Sequence, residues 1–486
     1  MGNRTETGVV IVGTGFSGLG MAIQLRKEGR DDFVILEKAA DVGGTWRDNT
    51  YPGCACDIPS HMYSFSFEQN PGWSRAYSPQ PEIWKYMREV ADKYDLRGHI
   101  RFGQEMTGAR WDADENRWHV SSKSGEEFVA PALVAGLGAL HLPQIPKLPG
   151  IERFQGRAFH SARWEHDFDF TGKRVAVVGT GASAIQFVPQ IAKDVEQLHL
   201  FQRTPPWIMP KPDREMPGWL KGMFKTVPLV QRAFRDILYW GLEARAIGFN
   251  GHPGVMKLGQ RIARRNIDKS IKDPALRAKL TPDYTMGCKR VLVSNDYYPA
   301  LARENVDVVT DGVTEVREHS VVDGVGVEHE VDVIIYGTGF HVTDAFDDLE
   351  IIGRDGRNLG KEWATEGMNT HLGITVSGFP NLFLLLGPNT GLGHNSVVFM
   401  IESQISYVAQ ALRMARGKAL DAKPASQARF NVDIQRKLEK GIWTQGGCKS
   451  WYLDAKGVNR TIWPGFTWRY WLDTRKVRAE DFELLG

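Results

Sequence analysis

The chain has 486 residues, 42% hydrophobic and 24% charged, which is the composition of a soluble globular protein of two or three domains. Its 60 basic and 58 acidic side chains leave a net charge of +2, which excludes an electrostatic grip on nucleic acid or an anionic membrane surface. Four cysteines do not make a disulfide framework in such a length, and with no signal-peptide pattern and no run of about 18 apolar residues a cytoplasmic location is expected.

Residues 9–12 form a β-branched run that ends in Gly13-x-Gly15-x-x-Gly18. A helical pattern follows over about 19–27, and "FVILEK" at 33–38 predicts the next strand, closing on Glu37. This βαβ unit carries a dinucleotide fingerprint. The first glycine permits the tight turn, the second lets a pyrophosphate approach the backbone, the third lets helix pack on strand, and the carboxylate accepts from ribose hydroxyls.

The proline-rich stretch "LPQIPKLPG" marks a linker over 142–151. A second βαβ unit starts at Arg174 with Gly179-x-Gly181-x-x-Ala184, followed by a helix near 185–192 and a strand at 197–203. Glu37 lies 24 residues after Gly13, and the same offset from Gly179 falls on Arg203. A carboxylate there repels a 2′-phosphate, whereas a guanidinium pairs with it, so the first site suits FAD or NAD and the second NADP.

"PPWIMPKPDREMPGW" breaks this pattern, and 220–280 is helical in character, giving an insert at 207–283 whose basic residues are expected on a solvated face. Its most apolar segment is interrupted by Arg235, Asp236, Glu243 and Arg245. Strand signals return at 290–294, 306–310 and 331–340, and a long helix is expected from about 399 to 416. The expected fold is α/β, with two Rossmann-like dinucleotide-binding domains and a helical insert. Residues 1–141 and 341–486 form the FAD domain, and 152–206 and 284–340 the NADP domain.

Two such sites on one chain point to a flavin enzyme that takes hydride from NADPH. The only close cysteine pair, Cys54-Ala55-Cys56, has poor spacing for a redox disulfide and no partner cluster for a metal, leaving dioxygen as the acceptor.

Phe154-x-Gly156-x-x-x-His160-x-x-x-Trp164, between the two glycine loops, resembles the fingerprint of the Baeyer–Villiger monooxygenases, with Glu165 where the family pattern has Pro or Asp. The stretch 43–57 is similar to a second signature of that family through Gly43, Gly44, Trp46, Tyr51, Pro52, Gly53 and Asp57. With "CKR" at 288–290, "YGTGF" at 336–340 and "SWY" at 450–452, the likeness spans nearly the whole chain.

The resemblance implies FAD and NADPH as cofactors, and a ketone and dioxygen as substrates. The product is an ester or lactone, formed through a C4a-peroxyflavin kept deprotonated by a fixed cation. That cation falls on Arg290, oriented by Asp57. The FAD residues are Gly13, Gly15, Gly18, Glu37, Gly44, Thr45, Trp46, Asp57 and Tyr63. The NADP residues are Gly179, Gly181, Ser183, Arg203, Lys289 and Trp451. Phe154, Gly156, His160 and Trp164 are implied to couple the two domains, Gly156 by backbone freedom. Strand alternation is expected to turn Lys289 and Arg290 to opposite sides, and pocket walls are expected from 141–146, 285–290, 389–400 and 440–452. A monomer or weak homo-oligomer is expected, with no metal and no membrane span. The alternatives are an N- or S-oxygenating flavin monooxygenase, and an NADPH-dependent flavin reductase or oxidase without oxygen transfer.

Overall fold

Val10–Val12 is buried at every residue because it is the central strand of a five-stranded parallel sheet. In order the sheet runs Leu382–Leu384, Leu133–Ala135, Val10–Val12, Val34–Glu37 and Ile100–Phe102. Strands covered on both faces read as continuous apolar runs. The helix Phe16–Lys27 lies on this sheet, and the helix Val397–Ala415 lies on it in turn; a Cβ on Gly20 would stand 2.6 Å from Ile405. This is a computed structural model, and it describes residues 4–250, 253–344, 346–347, 349–448 and 450–485.

A second sheet, of mixed pairing, joins Arg4–Glu6, Glu127–Ala130, Arg117–Ser122, Met106–Asp112 and Glu350–Ile352. Trp118 is fully buried there and donates its indole N–H to the Pro380 carbonyl at 2.7 Å. The N- and C-terminal parts of the chain are thus tied into one body.

A third sheet is parallel throughout, in the order Val306–Val309, Gln197–Phe201, Arg174–Val178, Val333–Tyr336 and Arg157–His160. The 154–165 motif is therefore not only a connector. Its middle is an edge strand, in register His160 opposite Tyr336.

The insert holds the helices Gly218–Thr226, Pro228–Glu243, Ala246–Phe249, Pro253–Ser270 and Pro274–Leu280. Its charges are not all solvated, contrary to the sequence expectation. Arg235 is buried and donates to the carbonyls of His61 and Ser64. Glu243 is buried and accepts from Asn395 Nδ2 at 2.6 Å and from Thr467 Oγ1 at 2.8 Å. Buried charges persist where they are fully hydrogen-bonded, and here those bonds fasten the insert to the first body.

The cysteine reading is corrected as well. Cys288 and Cys448 form a disulfide with Cα atoms 6.1 Å apart, which a sequence separation of 160 concealed. Cys54 and Cys56 are free and buried, and burial pushes the Cys54 thiol up to about 12. Among the described residues no helix is long and apolar enough to cross a membrane, and no group of His, Cys, Asp and Glu could hold a metal.

Candidate active site

The first glycine loop follows Val10–Val12 at the C-terminal edge of its sheet. Gly13 has φ +95°, and a Cβ on it would meet the Gly136 carbonyl at 2.6 Å. Gly18 sits so close to the strand that a Cβ would lie 1.8 Å from the Gly13 carbonyl oxygen, whereas Gly15 has nothing within 4 Å. The outer glycines are used up by packing, and the middle one faces open space at a helix N-terminus, where a pyrophosphate fits.

Glu37 is buried at the end of the next strand. It accepts from the Thr14 amide at 3.1 Å, the Ala39 amide at 2.9 Å and Arg47 at 2.9 Å. Gly44 is folded against this loop, its Cβ position 3.2 Å from Gly15 Cα. Thr45 and Trp46 begin the short helix Thr45–Asp48, and Trp46 Nε1 donates to the Tyr63 hydroxyl at 3.2 Å. Every residue implied for FAD thus gathers around one cradle and Asp57, and that cradle fits the cofactor. Sequence reasoning missed Thr14 and Arg47, which have no motif of their own.

The second loop repeats the geometry. Gly179 has φ +107° with its Cβ position 2.5 Å from the Gly337 carbonyl, and Gly181 has only that oxygen nearby, at 3.7 Å. Ser183 immediately precedes the helix Ala184–Ile191. Arg203 is exposed beyond the strand Gln197–Phe201, and neither it nor Lys289 makes an ion pair among the described residues. Burial, and then the like charge of Arg203, hold the Lys289 ammonium below the ordinary lysine value. Two neighbouring cations, neither of them in an ion pair among the described residues, fit an anion such as the 2′-phosphate of NADP(H).

The catalytic pair expected from the family likeness meets across 233 residues. Arg290 donates from Nε to Asp57 Oδ2 at 3.0 Å, and from Nη2 to Oδ1 at 2.8 Å and Oδ2 at 2.6 Å. Asp57 raises the Arg290 pKa still further above its ordinary value, so the guanidinium stays charged. Nη1 makes no hydrogen bond among the described residues, and a third of the side chain remains exposed. One edge of the fork is clamped and the other is free.

Lys289 and Arg290 do diverge, but strand alternation is not the cause. The strand is only Leu292–Val293, and 286–289 is a turn and bend in which Gly287 has φ +97°.

Trp451 is 45% exposed, and its ring lies 4.4 Å from that of Tyr452. Tyr452 is buried with no partner for its hydroxyl; burial pushes that group up to about 12. Phe249, Leu392, Trp443 and Tyr452 share one apolar cluster with Ile442 and Val291 at its edge, so 389–400 and 440–452 pack together. The stretch 141–146 runs beside 339–341: Gln144 N donates to Gly339 O at 2.9 Å, and His341 N to Leu142 O at 2.9 Å.

In the 154–165 motif, Trp164 is buried against Phe159, Phe187 and Phe170. Gly156 does not act through backbone freedom. Its φ is not positive, and its lack of a Cβ admits the Asp332 carbonyl at 2.3 Å and the Phe154 ring at 2.6 Å from the Cβ position. His160 accepts from the Ala162 amide at 3.1 Å through Nδ1, and burial pulls its pKa down to about 4. Glu165 pairs with Arg157 at 2.5 Å, which gives the departure from the family pattern a local partner.

Gln186 was also missed. From the second domain's helix it accepts from the Tyr51 hydroxyl at 3.0 Å and donates to the Ala55 carbonyl at 2.9 Å. It thus clamps the segment that leads to Asp57.

A flavin-binding monooxygenase-like family model matches residues 6–355. The chain is 53% identical over 480 residues to a Baeyer–Villiger monooxygenase of Pseudomonas aeruginosa (strain PAO1), covering 98% of this chain and 91% of that protein. It is 48% identical over 482 residues to a Baeyer–Villiger monooxygenase of Streptomyces coelicolor, covering 98% and 92%. Among solved structures, cyclohexanone monooxygenase from Rhodococcus sp. Phi1 bound to NADP+ superposes with a TM-score of 0.89 at 28% identity, over 100% of both chains. An oxidized steroid monooxygenase bound to NADP gives 0.88 at 32% identity, over 99% of this chain and 100% of that one.

Proposed function

This chain belongs to the flavin-binding monooxygenase-like family as an FAD- and NADPH-dependent Baeyer–Villiger monooxygenase, and we propose that Arg290, clamped by Asp57, is its catalytic cation. The reaction converts a ketone, NADPH, a proton and dioxygen to an ester or lactone, NADP+ and water. FAD, when bound, passes the electrons of NADPH to dioxygen and presents the activated oxygen to the carbonyl.

The observation that carries the reading is the half-engaged guanidinium. Asp57 takes Nε and Nη2 and leaves Nη1 to face the ketone oxygen, where negative charge grows as the carbonyl is attacked. Arg203 and Lys289 hold the 2′-phosphate, while Ser183, Gly179 and Gly181 line the pyrophosphate path and Trp451 covers the bound nucleotide. Residues 1–141 with 341–486 hold FAD, and 152–206 with 284–340 hold NADPH. His160 is neutral and committed to Ala162, which favours a coupling role with Phe154, Gly156 and Trp164 over proton transfer.

The apolar cluster of Phe249, Leu392, Trp443 and Tyr452, with Val291 next to Arg290 at its edge, favours a neutral ketone whose only polar atom is its carbonyl oxygen, in line with the cyclohexanone and steroid monooxygenases that share the fold. The enzyme acts in the cytoplasm as a monomer or weak homo-oligomer, on free small-molecule ketones and dioxygen.

The test is turnover with NADPH under 18O2 on a panel of ketones, amines and sulfides. Esters carrying one 18O establish the reading. N- or S-oxides alone, or peroxide alone, refute it.

A further inference from the structure

Oxygen transfer needs no sulfur, yet the disulfide Cys288–Cys448 lies directly beside the residues assigned to it. Cys288 immediately precedes Lys289 and Arg290, and Cys448 stands three residues before Trp451 and four before Tyr452. Besides the covalent bond, the two segments share the hydrogen bond from the Thr285 amide to the Gly446 carbonyl at 3.1 Å. Gly446 lies flat on Cys288: a Cβ there would stand 2.4 Å from Cys288 Cβ and 2.9 Å from its sulfur.

We propose that Cys288–Cys448 is a redox-modifiable site, opened by a dithiol and closed by hydrogen peroxide, whose oxidised form staples the Trp451–Tyr452 loop to the Arg290 segment and so retains NADP(H). The proposal rests on the reading of Trp451 and Lys289 as NADP(H) contacts.

Three observations carry it. First, the two cysteines differ in exposure: Cys288 is fully buried and Cys448 half-buried, which sets the Cys448 end of the bond nearer solvent and makes its sulfur the one for an incoming thiolate to attack. Second, the other two cysteines cannot exchange with the bond, because burial keeps both Cys54 and Cys56 protonated. Third, the cytoplasm proposed above is thiol-reducing, and there a disulfide is typically transient and redox-sensing rather than a permanent brace.

Opening proceeds by thiolate attack on the Cys448 sulfur, which breaks the S–S bond and releases Cys288 as thiolate, protonated from water. The second thiol of the reductant then displaces Cys448 from the mixed disulfide. Two electrons leave the dithiol, which ends as a disulfide, and two protons end on the cysteines. Closing consumes one hydrogen peroxide and yields two waters.

Once opened, the loop keeps the packing of Tyr452 and the Thr285–Gly446 hydrogen bond but loses its covalent tie. If it then occupies its docked position about a tenth of the time, the apparent NADP+ affinity falls about tenfold.

The test uses the FAD-loaded full-length enzyme. Alkylation under denaturing conditions should label two cysteines, Cys54 and Cys56, after peroxide, and four after dithiothreitol. NADP+ titrated by calorimetry should bind about tenfold more weakly to the dithiothreitol-treated enzyme, recover with peroxide, and bind Cys448→Ser at the weak level in both states. Hydrogen exchange over 446–452 should speed up on reduction. Four labelled cysteines that persist after peroxide, or equal NADP+ affinity and equal exchange in both states, overturn the proposal. Trp451→Ala separates the two readings. If it leaves NADP+ affinity unchanged, the nucleotide reading of the loop fails, while hydrogen exchange still reports the staple. If it weakens NADP+ and reduction does not, the staple fails alone.

Discussion

Replacing Arg290 by alanine removes the one cation whose free edge is available to the substrate. A unit charge about 4 Å from a full negative charge on the ketone oxygen is worth about 4 kcal/mol at an effective dielectric of about 20, or roughly a thousandfold in rate. The loss should be no smaller than this, because Asp57 is left in place as an unpaired anion that opposes the same charge. Flavin reduction by NADPH precedes attack on the ketone, develops no charge on the ketone oxygen, and should change little. The assay therefore has two arms: anaerobic bleaching of the flavin by NADPH, and ester formation followed by gas chromatography. Arg290→Ala should reduce the flavin within a few-fold of the parent, form ester about 10³-fold more slowly, and divert NADPH consumption to hydrogen peroxide. Arg290→Lys keeps the charge but cannot hold the two-pronged contact with Asp57, so an intermediate loss is expected. Ester formation by Arg290→Ala within tenfold of the parent would refute the assignment, provided its flavin content shows that the fold survives.

Arg203→Ala should lower the preference for NADPH over NADH by roughly 10–100-fold, the worth of one charge-assisted bond of about 1.5–3 kcal/mol, read from kcat/KM with each nucleotide. In the parent that preference should fade with rising pH below the ordinary lysine range, because Lys289 loses its proton early; in Arg203→Ala the fading should move to higher pH as the repulsion disappears. Gly18→Ala drives a Cβ into the Gly13 carbonyl and should cost both melting temperature and bound flavin, whereas Gly15→Ala enters open space and should cost flavin while the apoprotein melts normally. His160 has its folded pKa lowered from 6.5 to about 4, so the unfolded chain takes the proton first; stability present above pH 6.5 is lost as pH falls toward 4, by about 2 kcal/mol at pH 5. His160→Asn, which can still accept from the Ala162 amide, should flatten that acid slope in urea titrations at pH 7 and 5.

What could be read from the sequence was what lies close together along it. Both glycine loops, the strand ends at Glu37 and Arg203, and the long helix at Val397–Ala415 follow from local pattern, because turn, strand and helix signals act over a few residues. Arg290 and Asp57 were found only through family likeness, since nothing in "GCKR" or "CACD" says that the two segments touch. The disulfide, Gln186 and Glu243 were missed for the same reason: each acts across more than 100 residues. Arg235 also misled, because a basic residue inside a helix reads as solvated unless its buried partners are known. The 154–165 motif lacked strand periodicity because only four of its residues pair, at a sheet edge.

The interleaving of the two parallel sheets fixes an order of events during synthesis. The nucleotide sheet draws all its strands from residues 157–336, while the flavin sheet cannot close until Leu382–Leu384 pairs with Leu133–Ala135. A chain leaving the ribosome therefore completes its second dinucleotide fold first and carries the opening 135 residues as four of the five strands of a sheet, with the edge at Leu133–Ala135 unpaired. Chains cut short before residue 384 should therefore aggregate through that open edge.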